Sequence, residues 1–139
     1  MCKDLSITVI IPALNEKHWL PHCLSALRAA TTNLHDVELI VVDGGSTDGT
    51  QGLVADQSGV ELLTGSFQNR AQQLMTGVDH ATGDWTLFHH ADALCSPDLT
   101  KVLTDARESD AVGGWFPVQL LPKKSTSYQT TMLRMIGYG

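Results

Sequence analysis

The chain has 139 residues, 42% of them apolar and 17% charged, which fits one domain with a substantial core. Its net charge of −6 argues against nucleic acid as the main partner, because a phosphate backbone requires a basic face. Three widely spaced cysteines and no Cys-x-x-Cys pair favour reduced thiols over disulfides or a zinc site. Since the first residues contain no apolar signal-peptide stretch, we expect a cytoplasmic protein, and association with a membrane surface stays open.

The hydrophobic pattern predicts strands and helices in alternation. Strands are expected at residues 5–11, 37–42, 60–63, 84–89 and 111–120, and helices at residues 19–30, 50–57, 69–81 and 96–107. Ser96 and Pro97 are typical of a helix start, with the hydroxyl as the cap and proline in the first turn. A polar linker at residues 123–127 and the beginning of another helix near residue 132 follow.

The predicted strands are nearly all apolar, which is typical of parallel strands that helices cover on both faces. We therefore predict an α/β fold, a Rossmann-like three-layer sandwich with a mostly parallel sheet. In such sheets, ligands bind at the carboxyl ends of the strands. The candidate segments are those that follow strands, at residues 12–16, 43–48 and 89–92.

The turn after the first strand contains Pro12, Asn15 and Glu16 but no glycine. A dinucleotide-binding fold would have Gly-x-Gly-x-x-Gly here, and a P-loop would have glycines followed by Lys and Ser or Thr, so both classes are disfavoured. Asn15 and Glu16 instead offer hydrogen-bonding side chains to a ligand. The simpler alternative is that Asn15 caps the following helix.

The second predicted strand ends in Asp43, which Gly44, Gly45 and Ser46 follow. A carboxylate at this position can accept hydrogen bonds from a ribose or a base, and glycines let the backbone approach a flat ligand. The alternative is a turn in which Ser46 or Thr47 caps the next helix. One loop can do both.

The fourth predicted strand leads into His90, Ala91 and Asp92. A His and an Asp two residues apart can reach one metal ion, although an isolated His-x-Asp pair is a weak signal. Arg70, at the start of a helix, is suited to an anion because its charge and the helix dipole act together. The alternative for Arg70 is an ordinary exposed side chain.

Five ordered motifs together resemble family 2 glycosyltransferases of the GT-A fold. They lie at residues 9–16, 41–50, 69–84, 88–93 and 113–116. The fourth motif resembles the Asp-x-Asp signature of the family, with His90 in place of the first Asp. The resemblance is nearest to the bacterial subgroup often labelled selenodomain-associated transferase 2, and it covers residues 6–120.

This resemblance implies a nucleotide pocket and a divalent cation, Mn²⁺ or Mg²⁺. The substrate-binding residues that it implies are Pro12, Ala13, Asn15, Glu16, Asp43, Gly45, Ser46, Arg70, Asp84 and Ala91. Asp43 is expected to contact the base, and Arg70 and Asp84 to lie near the ribose and diphosphate. Asp92 is expected to bind the metal, and we hypothesise that His90 is a direct or water-mediated ligand that favours Mn²⁺.

The implied function is metal-dependent transfer of a sugar from a nucleotide-diphosphate sugar, with a UDP-sugar taken as the donor by analogy. An alternative is a catalytically incomplete module that binds nucleotide and metal only. A nucleotidyltransferase is disfavoured, because residues 11–17 contain no basic glycine-rich loop. The sequence identifies neither the donor sugar, the acceptor, the stereochemical course nor a general base.

Two regions are expected along the chain. Residues 1–121 are expected to form the nucleotide-sugar-binding domain, and residues 122–139 to begin an acceptor-side segment that is truncated. In that segment the apolar residues Met132, Leu133, Met135 and Ile136 would lack their usual partners. We therefore expect a homodimer or a disordered tail beyond residue 122.

Overall fold

The computed structural model describes residues 5–67 and 69–116 of the chain. The described elements, in chain order, are β1 (Ser6–Ala13), α1 (Leu20–Ala30), β2 (Asp36–Asp43), α2 (Thr50–Ala55), β3 (Val60–Thr64), α3 (Arg70–His80), β4 (Trp85–Phe88) and α4 (Leu99–Glu108). Each of them corresponds to a predicted strand or helix, and the bounds differ by at most three residues. The predicted alternation is therefore confirmed over this part of the chain.

The strands form a four-stranded sheet in the order β3-β2-β1-β4, and every neighbouring pair is parallel. The register pairs Ala13 with Asp43 and Asp43 with Thr64, so that β1, β2 and β3 end at the same edge of the sheet. Ile10 pairs with Phe88, the last residue of β4. We call this edge, with the loops that follow the strands, the carboxyl rim.

Helices cover both faces of the sheet. Val9 and Ile11 of β1 point to one face and share a buried cluster with residues of α1, α2 and α4. Ile10 points to the other face and packs with Leu74 and Val78 of α3. The strands β1, β2 and β3 follow one another across the sheet in one direction, and the chain then crosses back to β4 on the other side of β1. Because crossovers are right-handed, this reversal places α3 on the face opposite α1 and α2. The three-layer α/β fold is confirmed.

Close contact between α3 and the sheet depends on a glycine. A β-carbon at Gly77 would lie 2.5 Å from Cγ2 of Ile10, closer than real β-carbons come. Ile10 is fully buried, and burying a side chain of this size contributes about 1.5–3 kcal/mol. The close approach brings the first turn of α3 up to the carboxyl rim.

Two predicted helix starts are corrected by the structure. The N-cap of α4 is Asp98, and Ser96 instead accepts a hydrogen bond from the Asp98 backbone within the preceding turn. The N-cap of α1 is Trp19, which makes no side-chain capping bond. At α4 the chain first forms a turn, and the helix begins three residues later than predicted. The helix α1 begins one residue later than predicted.

The strand predicted at residues 111–120 is wrong over its described part. Residues 111–116 have no regular structure, and Val112 is fully exposed. The paired glycines at 113 and 114 favour an irregular backbone over a strand. The linker, the helix near residue 132 and the predicted segment 122–139 lie outside the described residues. Within the described part, no helix is long and apolar enough to cross a bilayer.

Candidate functional site

The loops after β1 and β2 are cross-linked by hydrogen bonds at the carboxyl rim. The Asn15 backbone N–H donates to Oγ of Ser46 at 2.8 Å, and Oδ1 of Asn15 accepts from the Thr47 backbone at 2.8 Å. The Glu16 backbone N–H donates to Oγ1 of Thr50 at 3.0 Å. The two predicted ligand segments therefore form one joined surface.

Asn15 has a cross-loop role and does not cap a helix. It adopts φ 55°, a left-handed conformation that Asn tolerates better than most residues, and α1 begins five residues later at Leu20. The N-cap of α2 is Gly49, so the predicted caps at Ser46 and Thr47 are also wrong. These polar side chains join the two loops to each other.

Asp43 lies at the end of β2 and is fully buried. Its carboxylate accepts hydrogen bonds from the backbone of Gly45 at 2.9 Å, from the backbone and hydroxyl of Ser46, and from Nε2 of Gln51 at 2.7 Å. Burial by itself would raise the pKa of Asp43, but these donors together outweigh it and hold the pKa below its ordinary value. The carboxylate therefore shapes the loop, and its direct contact with a base stays a prediction.

Gln73 on α3 is a residue of the rim that belongs to the third family-like motif, residues 69–84, but was given no role there. Its side chain is buried, and its Nε2 donates to the carbonyl oxygens of Ala13 at 3.2 Å and Val42 at 3.0 Å. These carbonyls end β1 and β2. The available signal was that Gln73 lies one turn before Gly77 on the buried face of the helix.

Three charged side chains from separate segments influence one another at the rim. The pKa of Glu16 is raised, chiefly by burial and then by the negative charge of Asp92, while the positive charge of Arg70 opposes the rise. Neighbouring strands lie about 4.8 Å apart, so the ends of β2 and β4, on either side of β1, are separated by about 10 Å. Asp43 and Asp92 therefore share one rim, as predicted.

Arg70 and His90 are in direct contact. Nη1 of Arg70 lies 2.7 Å from Nδ1 of His90, and both side chains are exposed. Arg70 is the first residue of α3, whose N-cap Asn69 accepts from the Gln72 backbone at 3.0 Å. An arginine at a helix N-terminus provides fixed positive charge together with the helix dipole, which favours an anion.

The turn that carries His90 and Asp92 is held from below by two buried side chains. Nδ1 of His89 lies 2.9 Å from the His90 carbonyl oxygen, and Sγ of Cys23 on α1 lies 3.6 Å from it. Burial raises the pKa of Cys23 to about 12, so its thiol keeps the proton. Nε2 of His89 is buried without a hydrogen-bond partner among the described residues, and burial lowers the pKa of this histidine. Neither residue was given a role from the sequence.

The other predicted site residues do not all reach the rim surface. The side chains of Pro12, Ala13 and Ala91 are buried in the core, so only their backbone atoms can contact a ligand. Asp84 precedes β4, and its backbone donates to Oγ of Ser6 at 2.8 Å, at the start of β1. Asp84 therefore lies at the amino edge of the sheet, and the expected place beside the nucleotide is corrected.

The residues at the rim fit a divalent cation only in part. Among the described residues, no group of three His, Cys, Asp or Glu could hold a metal ion. The exposed carboxylate of Asp92 and the half-buried carboxylate of Glu16 are oxygen ligands of the type that Mg²⁺ and Mn²⁺ accept. A cation is therefore held here only if a bound ligand supplies further donor atoms. Nδ1 of His90 is not available as one of them, because it is in contact with Arg70.

A cavity of about 340 Å³ lies beside the rim, between β4 and α4. Its lining is largely apolar and includes Phe88, Leu99, Val102 and Trp115. It runs along β4, the edge strand of the described sheet. Its lining includes His90 but neither Asp92 nor Glu16.

Comparison with known proteins identifies the family of the chain. The family model described as "Glycosyl transferase family 2" matches residues 8–138. A PGL/p-HBAD biosynthesis glycosyltransferase of Mycobacterium tuberculosis is 40% identical over 119 residues, which cover 82% of this chain and 44% of that protein. An undecaprenyl-phosphate 4-deoxy-4-formamido-L-arabinose transferase of Aeromonas hydrophila is 35% identical over 107 residues, or 72% of this chain and 33% of that protein.

One similar solved structure is the mannosyltransferase PcManGT from Pyrobaculum calidifontis in complex with GDP-Man and Mn²⁺. It superposes with a TM-score of 0.64 and 29% identity, over 71% of this chain and 31% of that one. The chain thus spans less than half the length of the curated relatives that it matches. The family match covers nearly all of the chain, and the structural neighbours have the GT-A fold. The chain belongs to glycosyltransferase family 2.

Proposed function

We propose that the carboxyl rim binds a nucleotide-diphosphate sugar, with the diphosphate beside Arg70, and that the protein transfers the sugar to an acceptor. The observation that carries this is the convergence of Glu16, Arg70 and Asp92 from three segments. A diphosphate needs positive charge, which Arg70 and the α3 terminus supply. The two carboxylates would repel it unless a cation lay between them and the phosphates.

Asp92, with Glu16 beside it, would hold that cation, Mn²⁺ or Mg²⁺. When bound, the cation would neutralise the negative charge that grows on the departing diphosphate. The PcManGT structure was solved with GDP-Man and Mn²⁺, which supports this class of ligand. The role of Asp92 and Glu16 is to fix the cation on the side of the rim that faces Arg70.

The loop after β2 is proposed to receive the nucleoside. Gly45 has φ +103° and no atom within 4 Å of where its β-carbon would be, so its backbone is open to a flat ring. The buried Asp43 holds this loop in shape through the Gly45 and Ser46 amides. UDP is the first nucleotide to test, and GDP is the necessary comparison.

Calorimetric titration of the full chain with UDP and GDP, with Mn²⁺ or with EDTA, tests the proposal. We expect binding that Mn²⁺ strengthens, and at least a tenfold loss of affinity in Arg70→Ala, because a charge-assisted hydrogen bond contributes about 1.5–3 kcal/mol. Lys101→Ala removes an exposed cation of α4 and is the matched control. No binding of either nucleotide under either condition would reject the proposal.

A second measurement separates transfer from binding alone. Release of the sugar from a UDP-sugar or GDP-sugar would support an enzyme, and binding without release would favour the module that holds nucleotide and metal only. One relative is named for undecaprenyl phosphate, a lipid, so we propose a lipid-linked acceptor and contact with a cytoplasmic membrane surface. Sedimentation with lipid vesicles tests that contact, and light scattering tests the predicted homodimer.

A further inference from the structure

The contact between Arg70 and His90 fixes where the imidazole carries its hydrogen. Nη1 of Arg70 is 2.7 Å from Nδ1 of His90. A guanidinium group can only donate hydrogen bonds, so Nδ1 of the imidazole is the acceptor and has no hydrogen. The hydrogen of the neutral ring is then on Nε2. His90 consequently presents an N–H, and no free lone pair, beyond its contact with Arg70.

A metal ligand must offer a lone pair, and neither ring nitrogen of His90 offers one in this arrangement. We propose that His90 donates a hydrogen bond from Nε2 to a phosphate oxygen of the bound nucleotide, paired with Arg70, and is not a ligand of the divalent cation. This rests on the proposed function, since it assigns a role within the same site. It also replaces the hypothesis that His90 is a direct or water-mediated metal ligand that favours Mn²⁺.

The surroundings of His90 favour an anion over a cation. On one side the ring contacts the guanidinium of Arg70 at the N-terminus of α3, where the helix dipole also favours negative charge. From below, His89 and Cys23 approach the His90 carbonyl oxygen and hold the backbone of the turn. Asp92, two residues further on, takes no part in the Arg70–His90 contact and is the carboxylate proposed for the cation.

Histidine in place of aspartate at position 90 changes the charge of the site. An aspartate at position 90 would form an ion pair with Arg70 and would weaken the attraction of that cation for phosphate. A neutral histidine accepts the Arg70 hydrogen bond without cancelling its charge and adds a second donor. The two residues of the His-x-Asp pair therefore have different ligands: His90 contacts the phosphate and Asp92 contacts the cation.

Two amide substitutions separate the roles of the ring nitrogens. His90→Asn keeps an acceptor near the Nδ1 position but removes the far N–H, whereas His90→Gln keeps a donor near the Nε2 position. In titrations with UDP and with inorganic pyrophosphate in EDTA, we expect about a tenfold loss in His90→Asn and less than threefold in His90→Gln. His35→Asn, an exposed histidine at the amino edge, is the control. A loss seen only with Mn²⁺ would overturn the proposal.

Electron spin-echo spectroscopy of Mn²⁺ bound together with UDP tests directly whether His90 is a metal ligand. This measurement does not require UDP to bind in the absence of metal. We expect no nitrogen coupling from an imidazole ligand in the unmodified chain. A ¹⁴N coupling that disappears in His90→Asn, and that changes on ¹⁵N labelling of the protein, would show ligation and overturn the proposal. If UDP binds under no condition, the proposed function fails and this inference fails with it. If UDP binds and the coupling is present, the inference alone is wrong.

Discussion

The side-chain nitrogen of Gln73 occupies the space that a side chain at Gly44 would need: a β-carbon there would lie 2.8 Å from Nε2. That nitrogen donates to the carbonyl oxygens of Ala13 and Val42, at the ends of β1 and β2. The glycine after β2 and the glutamine on α3 therefore form one unit that holds the two strand ends together. This unit lies directly beneath the loop proposed to receive the nucleoside.

Gly44→Ala is expected to displace Gln73 and to lower the free energy of unfolding by about 1–3 kcal/mol, the cost of leaving buried carbonyls unsatisfied. The end of a glutamine side chain can move, so the cost comes from the lost hydrogen bonds more than from the steric clash. Urea denaturation measures the change.

The matched control is Gly52→Ala in α2, where no atom lies within 4 Å of the new β-carbon. It should stabilise the chain by up to about 1 kcal/mol, because alanine favours helix. A double-mutant cycle with Gln73→Ala adds a second check. If Gly44→Ala costs as much with alanine at position 73 as with glutamine, the coupling between the two residues does not exist.

Asp43→Asn is expected to cost about 2 kcal/mol at neutral pH, because charge-assisted hydrogen bonds to the Gly45 and Ser46 amides become ordinary ones. The folded-state pKa of Asp43 lies below the ordinary value of 3.8, since its donors outweigh the opposing effect of burial. Its contribution is therefore present above pH 3.8 and is lost as pH falls through the lower folded-state value.

Urea denaturation of Asp43→Asn and the unmodified chain at a series of pH values checks this linkage. The difference between the two proteins should narrow as pH falls below 3.8. Asp56→Asn, an exposed aspartate after α2, is the control. A constant difference over the whole range would show that the Asp43 carboxylate contributes no charge-dependent stability.

The elements of the fold were predictable because the strands are short, continuous apolar runs. Ile7 to Ile11 are buried on both faces of the sheet, so the strand stands out from the amphipathic helix that follows. Capping patterns were less reliable. Ser46, Thr47 and Asn15 have the composition of helix caps, but they bond across two loops that are far apart in sequence, and no local pattern reports such partners.

The rim as a whole was predictable, and the roles of its members were predictable only in part. The rule that ligands lie after parallel strands selected the segments of Glu16 and Asp92 as neighbours. Arg70 came from a separate argument, that its charge and the helix dipole act together. The rule did not select Asp84, which precedes a strand and came only from the family resemblance. The sequence also does not show that the Asp43 carboxylate is buried and hydrogen-bonded within its own loop, because those contacts depend on the fold.

Glu16→Gln is expected to raise the free energy of unfolding at neutral pH. Burial first and the charge of Asp92 second raise the pKa of Glu16, so its ionised form is disfavoured in the folded state. For an acid with a raised pKa, the folded chain is destabilised at pH values above that pKa, and the penalty disappears below the ordinary value of 4.5. A stability penalty of this kind is typical of a functional site.

Denaturation of Glu16→Gln at pH 7 and pH 4 should show the gain at the higher pH only. The same variant should bind UDP less well in the presence of Mn²⁺, because one carboxylate beside the cation is lost. Glu61→Gln, an exposed carboxylate on β3, controls for the removal of a negative charge elsewhere. Glu16→Gln proteins that are less stable at pH 7 would contradict the electrostatic account.

His89 is expected to make the fold sensitive to mild acid. Burial lowers its pKa below the ordinary value of 6.5, so the folded state holds the neutral ring, which donates from Nδ1 to the His90 carbonyl. Below pH 6.5 His89 is protonated in the unfolded chain but not in the folded chain. This difference lowers the free energy of unfolding by at most about 1.4 kcal/mol per pH unit. The loss stops once pH falls below the folded-state pKa.

His89→Asn removes the titrating ring but keeps a side-chain N–H near the Nδ1 position. We expect this variant to be less stable than the unmodified chain at pH 7.5, because it leaves space in the core, yet to lose less stability between pH 7 and pH 5. His35→Asn, at an exposed position, should leave the pH profile unchanged. Equal pH slopes in His89→Asn and the unmodified chain would show that His89 is not the group that resists protonation.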